Sequence, residues 1–363
     1  MKITKLEIVN FRNYEKQTVS FDNGLNVILG ANAQGKTNLV EAIHFCSIGK
    51  SFRTAKDKEL IKFGCEQSKI FLEIERLEGK KTVEIILSKT LKKIIRINGV
   101  SILRMGELMG AVNCVFFSPD DLRLIKDGPQ DRRRFLDIDL SQMSKAYFYN
   151  LLRYEKILLQ RNKLLKDSFD KVQAKNGLEV WNEQLAKVGA KIIYVRHKFI
   201  AKLSGFAKDI HSRLTSGEEM LIVGYSGIHG DSEDDIYRKL YEDLEKNTEK
   251  DFALGYTSTG PHRDDIKIVC NGIDTKAYGS QGQQRTSTLS LKLAELEIFK
   301  EEIGEYPILL LDDVFSELDE KRSRMLLSNI SHVQTIITGT EFEQKDLPQT
   351  SFFVQSGNCK KQK

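Results

Sequence analysis

The segment Gly30-Ala31-Asn32-Ala33-Gln34-Gly35-Lys36-Thr37 satisfies the pattern GxxxxGK[ST] at every specified position, and its flanks are what such a loop needs. Residues 25–29 form an apolar run of strand length, and residues 39–45 have the character of a helix. A strand that feeds a glycine-rich turn and then a helix aims backbone N–H groups and the positive helix end at one point, where an anion is stabilised. The expectation is a nucleoside triphosphate site built from Gly30 to Asn38. Lys36 would reach the β- and γ-phosphates, and the Thr37 hydroxyl would ligate Mg2+.

A matching element lies far along the chain. Ile308-Leu309-Leu310-Leu311-Asp312-Asp313 reads as a buried strand ending in two carboxylates. Asp312 is placed to enter the Mg2+ shell, and Asp313 to orient or deprotonate an attacking water. Lys36, Asp312 and Asp313 are thus the expected catalytic groups, with Thr37 and Asp312 on the metal. A compact module would bring Lys36 and Asp312 much closer in sequence, so a large insertion should separate two halves of one sheet. The fold class is α/β, a mixed sheet with flanking helices.

Strand candidates at 3–9, 18–21, 25–29, 70–74, 83–87 and 94–97 crowd the N-terminal third, and helical periodicity follows. One helix is expected over 144–166, then a polar interruption ending near Gly177. Trp181, Leu185, Val188, Ile192, Val195 and Phe199 recur four and three apart, and the pattern resumes after Leu203 at Phe206, Ile210 and Leu214. These two stretches predict a helical hairpin, either a packed subdomain or a projecting coiled-coil arm. Glu155 and Asn162, where a clean seam would be apolar, favour the packed form. Strands are expected again at 220–223 and 266–269, with a charged helix at 234–250 between them. The resulting division is an N-terminal half-domain at 1–118, a helical lobe at 119–250 and a C-terminal half-domain at 251–363.

With 363 residues, 40% of them apolar, the chain can bury the core of two domains or of one domain with a large insertion. The first 14 residues lack a hydrophobic signal core, and no apolar run approaches the ~20 residues that cross a bilayer, so a cytoplasmic protein is expected. Five cysteines, odd in number and in no CxxC pair, indicate neither a disulfide framework nor a zinc site. A net charge of +5 permits a polyanionic partner without requiring one.

Tyr278-Gly279-Ser280-Gln281-Gly282-Gln283-Gln284-Arg285-Thr286 precedes a helix with Leu289, Leu293 and Leu296 on one face. It reads either as a capped helix start or as a second anion site. In the second reading it resembles the signature motif of ABC-type ATPases. Ser280, Gly282 and Gln283 of one subunit would then cover the γ-phosphate held by a partner's loop, which makes ATP a dimerisation ligand.

Further strings extend this likeness. Leu6-Glu7-Ile8-Val9-Asn10-Phe11-Arg12-Asn13-Tyr14, GANAQGKT, Gly49-Lys50-Ser51-Phe52-Arg53-Thr54, Phe117-Ser118-Pro119-Asp120-Asp121-Leu122, Arg132-Arg133-Arg134-Phe135-Leu136-Asp137, Gly260-Pro261-His262-Arg263-Asp264-Asp265, GSQGQQRT and LLLDDVFSELD follow in that order. From Leu6 to Asp319 the chain resembles the bacterial RecF family. The resemblance implies an ABC-type P-loop ATPase head of the SMC kind with an inserted helical lobe. It further implies an ATP-dependent homodimer, weak DNA-stimulated hydrolysis, and binding to gapped and junction DNA in the nucleoid. RecR, RecO, RecA and single-strand binding protein are the implied partners, and Arg12 an implied neighbour of the nucleotide.

Three departures from the wider ABC pattern point to slow hydrolysis: Asp313 stands where many ABC ATPases carry Glu, Thr338 replaces a switch His, and Ser118-Pro119-Asp120 occupies the region of the missing Q-loop glutamine. Lys50, Arg53 and Lys56 are candidate DNA contacts. Arg132 and Arg133 are open to the same role or to structural pairing with Asp131 or Asp137. His262 has no other His or Cys at ligand spacing and is expected in a structural turn. The alternative function class is an SMC-like chromosome-organising or transport-type ABC ATPase, disfavoured because the hairpin is too short for a tether and a transporter would normally lack it. A nuclease would need a further acidic or histidine cluster, and none is evident.

Overall fold

Alternation decides the first strands. In β1 (Lys2–Phe11) the buried positions are Ile3, then Leu6 and Ile8, and last Phe11, and the slip from odd to even after Ile3 coincides with a bulge between Ile3 and Lys5. The structure, a computed structural model, describes residues 1–167, 171–342 and 348–362. These fall into two units, Met1–Leu122 with Leu291–Lys363, and Arg123–Ser290.

The first unit begins with β1, β2 (Tyr14–Ser20), β3 (Leu25–Leu29), α1 (Lys36–Ile48), β4 (Gln67–Arg76), β5 (Gly79–Ser88), β6 (Ile94–Ile97), β7 (Val100–Ser101) and β8 (Cys114–Phe117). An antiparallel sheet runs β2-β1-β4-β5-β6-β7. Asn98 and Gly99, with φ of 51° and 79°, close the β6–β7 hairpin as a two-residue turn of the kind that matches strand twist.

The second unit holds α2 (Arg123–Lys126), α3 (Pro129–Met143), α4 (Lys145–Asp167), α5 (Lys171–Leu214), β9 (Leu221–Ser226), α6 (Glu233–Lys246), α7 (Thr248–Leu254), β10 (Asp265–Cys270), β11 (Ile273–Asp274) and α8 (Thr275–Tyr278). Next comes α9 (Gln281–Ile303), followed in the first unit by β12 (Ile308–Asp312), α10 (Glu320–Asn329), β13 (Thr335–Gly339), β14 (Gln349–Gln355) and β15 (Asn358–Lys361). The second sheet of the first unit runs β15-β14-β3-β13-β12-β8 and is parallel except for β15. Every residue of β12 and β13 is buried, as expected for parallel strands away from solvent on both faces. Thr338 pairs with both Asp312 and Ile28, so the carboxyl ends of β3, β13 and β12 lie level. In an open parallel sheet that edge is where ligands bind.

In the second unit α4 and α5 pack on each other, and α5 also packs on α6 and β9, so the hairpin is a subdomain and not a projecting arm. Asn162 is no blemish in a seam: its carbonyl accepts from the Thr257 N–H and hydroxyl at 2.8 and 2.7 Å. Neighbouring Arg161, fully buried, pairs with Asp251 at 2.7 Å and also donates to Asn182 and Thr257. Three sequence expectations need correction. The second unit extends to Ser290 instead of residue 250, because β10 pairs antiparallel with β9 and stays with the helices. Helix α5 begins at Lys171, before Gly177, while 168–170 lie outside the described residues. The charged stretch 234–250 is two helices, α6 and α7. No described helix is long and apolar enough to cross a membrane.

Candidate nucleotide site

The loop between β3 and α1 is held from several sides. Gly35 has φ of 116°, a conformation a side chain resists, and a Cβ there would come within 2.7 Å of the Asn13 amide. The Asn13 amide donates to the Gln34 carbonyl at 2.8 Å, the Tyr14 hydroxyl donates to the Gly35 carbonyl at 3.1 Å, and Asn38 donates to the Asn13 side-chain oxygen at 2.8 Å. From the other side the Ser356 N–H reaches the Gln34 side chain at 2.7 Å. Asn13, Tyr14 and Ser356 therefore brace the phosphate loop, a role that no spacing in the sequence announced.

Lys36 Nζ donates to the carbonyls of Gly30 at 2.6 Å and Ala31 at 2.9 Å. Burial lowers its pKa, and the charges of Asp313 and Asp312 work against that shift. The ammonium is thus held inside the loop, beside the two carboxylates at the end of β12. Thr37 Oγ1 donates to Asp312 Oδ1 at 3.0 Å. Cis oxygens around Mg2+, each bound at ~2.0–2.1 Å, lie ~2.9 Å apart, so this pair fits adjacent positions of one octahedral shell.

Thr338 carries the second half of the site. Its hydroxyl donates to Asp312 Oδ1 at 2.6 Å, and the Asp313 N–H reaches the Thr338 carbonyl and hydroxyl at 3.1 and 3.2 Å. Burial raises the Asp312 pKa; the hydroxyls of Thr338 and Thr37 oppose this, and the charge of Asp313 adds to it. Asp313 itself is exposed, with φ of 56°, a left-handed conformation that Asp tolerates better than most residues. Phe117 of β8 pairs with Leu311, so Ser118 follows at the same sheet edge as Asp312, where its N–H is tied to Asp121 at 2.7 Å.

Arg12, in the turn after β1, packs against α1, where three of its five N–H groups are used. Its Nε and a terminal nitrogen grip both oxygens of Glu41 at 2.8 and 2.7 Å, and its other terminal nitrogen donates to the Glu59 carbonyl at 3.0 Å. Glu41 is completely buried and also accepts from Ser51 Oγ at 2.5 Å. A glutamate set among Val40, Ala42, Ile43 and Phe45 was the available sequence signal for this network. Arg53 donates to the Asn38 side chain at 2.8 Å and lies 3.7 Å from Glu41, so it faces the start of α1. Lys50 and Lys56 are exposed.

The basic cluster on α3 divides. Arg132 is 4% exposed, forks onto both oxygens of Asp265 at 2.6 and 2.9 Å, and donates to the carbonyls of Leu124 and Asp127. A guanidinium so enclosed has no face left for a phosphate, which corrects its assignment to DNA; its partner is Asp265, not Asp131 or Asp137. Arg133 donates to the Asp264 carbonyl at 2.8 Å and is likewise tied to the turn before β10. His262 sits in that turn, with Nδ1 2.8 Å from the Tyr154 hydroxyl and Nε2 3.0 Å from the Thr257 carbonyl. Burial pushes its pKa down to about 4.

In the second unit Ser280 caps α9: its hydroxyl accepts from the Gln283 N–H at 3.2 Å, and the Gln283 side chain accepts from the Ser280 N–H at 3.0 Å. Ser280 is exposed, Gly282 and Gln283 half-buried. The capped-helix reading thus holds within one chain, and it leaves the anion-binding end of α9 open to solvent.

A phosphate loop braced against a parallel sheet, with Thr37 and Asp312 sharing a contact at its carboxyl edge, defines a P-loop ATPase head. Residues 2–346 match the family model described as the RecF/RecN/SMC N terminal domain. The DNA replication and repair protein RecF of Alkaliphilus oremlandii is 47% identical over 98% of this chain and 99% of its own length, and that of Clostridium tetani is 47% identical over 99% of each. A solved recombination mediator RecF–ATP structure of the RecFOR pathway superposes with a TM-score of 0.91 at 38% identity, covering 99% of this chain and 97% of that one. An Smc head bound to the C-winged helix domain of ScpA has a TM-score of 0.59 at 16% identity over 100% and 97% of the two chains, a likeness of fold. The chain belongs to the RecF family.

Proposed function

We propose that this chain is an ATP-gated DNA-binding recombination mediator. The observation that carries the reading is the Thr37–Asp312 pair beside a braced phosphate loop, in a chain similar over its whole length to a RecF solved with ATP. Residues 30–38 hold the triphosphate, and Thr37 with Asp312 hold Mg2+, which supplies charge neutralisation at the transferred phosphoryl group. Lys36 exchanges its two loop carbonyls for phosphate oxygens. Asp313 orients the attacking water or takes its proton; one methylene shorter than glutamate, it positions the water less well, which suits slow, timed hydrolysis that ends DNA binding.

The open, capped end of α9 supports the dimer. Ser280, Gly282 and Gln283 of one subunit cover the nucleotide of the other, so that ATP completes an interface neither subunit satisfies alone. Lys50, Lys56 and Arg53 offer positive charge to the phosphates of gapped or junction DNA. RecR, RecO, RecA and single-strand binding protein enter as partners through the family. The packed form of the α4–α5 hairpin favours this reading over a chromosome tether.

The test is binding of a gapped duplex at one fixed salt concentration without nucleotide, with ADP and with ATP, alongside sedimentation. DNA affinity and dimer formation should rise together with ATP alone. Ser280→Arg should keep monomer ATP binding and lose the ATP-induced dimer; a variant that still dimerises normally sinks the trans arrangement.

A further inference from the structure

Glu219 stands between His211, near the end of α5, and Cys270, at the end of β10, and the ligand atoms of the three lie within 4.8 Å of one another. His211 is fully buried and Cys270 is 3% exposed, whereas the Glu219 side chain is 22% exposed. His211 Nε2 lies 3.2 Å from Glu219 Oε2 and 3.8 Å from Cys270 Sγ.

Hydrogen-bond accounting determines which imidazole nitrogen bears the proton. Ser290 Oγ gives its single hydrogen to the Thr286 carbonyl at 2.7 Å, so toward His211 Nδ1, 3.0 Å away, it acts only as an acceptor. Nδ1 therefore carries the hydrogen, and in the neutral ring the Nε2 lone pair points at a carboxylate oxygen and a sulfur. The one hydrogen within this trio is on Cys270 Sγ; once it is lost, nitrogen, oxygen and sulfur turn three lone pairs toward a common point. A cation that displaces that hydrogen would be met by all three atoms.

We propose that His211 Nε2, Glu219 Oε2 and Cys270 Sγ form a binding site for a zinc-class divalent cation, with solvent in the fourth position. Tetrahedral Zn2+ with ligands at ~2.0–2.3 Å places ligand atoms ~3.4–3.6 Å apart, so the 3.2 and 3.8 Å separations need adjust by only a few tenths of an ångström. Thiol, imidazole and carboxylate together select Zn2+ over Mg2+ or Ca2+. On binding, the Cys270 S–H bond breaks, sulfur keeps the electron pair as it forms the metal bond, and the proton leaves to solvent. Thiolate and carboxylate then balance the two positive charges.

The outer contacts are those of a metal site. His211 donates its other nitrogen to Ser290, and Glu219 Oε1 accepts from the Gln283 side chain at 3.0 Å. Both of those partners lie on α9, so the cation would tie the end of α5 and the β9–β10 sheet to the first turns of α9. The ligands are scattered over 211–270 in no recognised spacing, which is why a count of cysteines finds no such site.

The test is titration of chelator-treated full-length protein with Co2+ in the absence of nucleotide, followed by displacement with Zn2+. A thiolate-to-cobalt charge-transfer band with intense tetrahedral d–d absorption, saturating at equimolar metal and erased by Zn2+, is expected. Cys65→Ser should keep the band and Cys270→Ser should abolish it. Glu219→Gln, altered only at the most exposed ligand, should weaken Co2+ binding about tenfold or more. Absence of the band in the native protein, or its persistence in Cys270→Ser, would overturn the assignment.

Discussion

Thr338→Val is the sharpest probe of the nucleotide site, because it removes one hydroxyl and leaves shape and volume almost unchanged. That hydroxyl donates to Asp312 Oδ1 at 2.6 Å in a buried setting, and a hydrogen bond to a charged group contributes about 1.5–3 kcal/mol. Its second contact, with the Asp313 N–H, is backed by the Thr338 carbonyl at 3.1 Å and should lose little. The deficit therefore falls on the ionised form of Asp312, the form that holds Mg2+. Losing a partner that orients a metal-binding group should raise the Mg2+ concentration needed for ATP hydrolysis about 10- to 100-fold. Nucleotide binding without metal should be unchanged, since the loop and Lys36 keep their contacts. The sign in pH follows: the Thr338 hydroxyl lowers an Asp312 pKa that burial raises, so its removal moves the acidic limb of activity to higher pH. Magnesium titrations of ATPase activity, paired with metal-free binding of a fluorescent ATP analogue, read both quantities. A Mg2+ curve that superposes on the native one, or equal loss of metal-free binding, would refute the reasoning.

Two further outcomes concern the framework. Glu41→Ala leaves Arg12, whose side chain is 19% exposed, with two donors and a charge unpaired, and should lower stability by about 2–4 kcal/mol in urea unfolding. A loss under about 0.5 kcal/mol, the ordinary range of a surface change, would mean that the network does not brace α1. His262 has its pKa lowered from 6.5 to about 4 by burial, so the unfolded chain binds the extra proton first and stability falls as pH drops through that window. Asp264, raised to about 6 by burial, acts oppositely, since its stabilisation is lost as pH rises toward that value. Comparing urea midpoints at about pH 7 and pH 5 in the native chain and in His262→Gln isolates the histidine: the variant should lose less on acidification, and an identical loss would count against a buried neutral ring.

Motifs written in consecutive residues were legible without coordinates. The loop 30–37, the strand 308–312 and the helix start at 280–283 each carry their chemistry in a local pattern, because turn geometry, strand burial and helix capping act over a few residues. The separation of Lys36 from Asp312 likewise implied one sheet built from two distant segments, and β3, β13 and β12 form it. The α5 periodicity foretold one long helix, although Val195 is only half-buried and Arg196 beside it is enclosed with Asp137 and Tyr147.

Partner choice was not legible, because charge pairs form between side chains that folding brings together from distant positions. Arg132 read either as a DNA contact or as a partner of Asp131 or Asp137, yet Asp265, 133 residues away, claims it. Glu41 and Arg12, Thr338 and Asp312, and His211 with Glu219 and Cys270 are joined in the same way. The sequence by itself determined the engine, a P-loop with its metal-side aspartate in an α/β head, since those elements are specified by local backbone physics. Only the tertiary structure decided which charges are buried, which hydroxyl steadies Asp312 and where a second cation would fit, because burial and pairing depend on how distant elements pack.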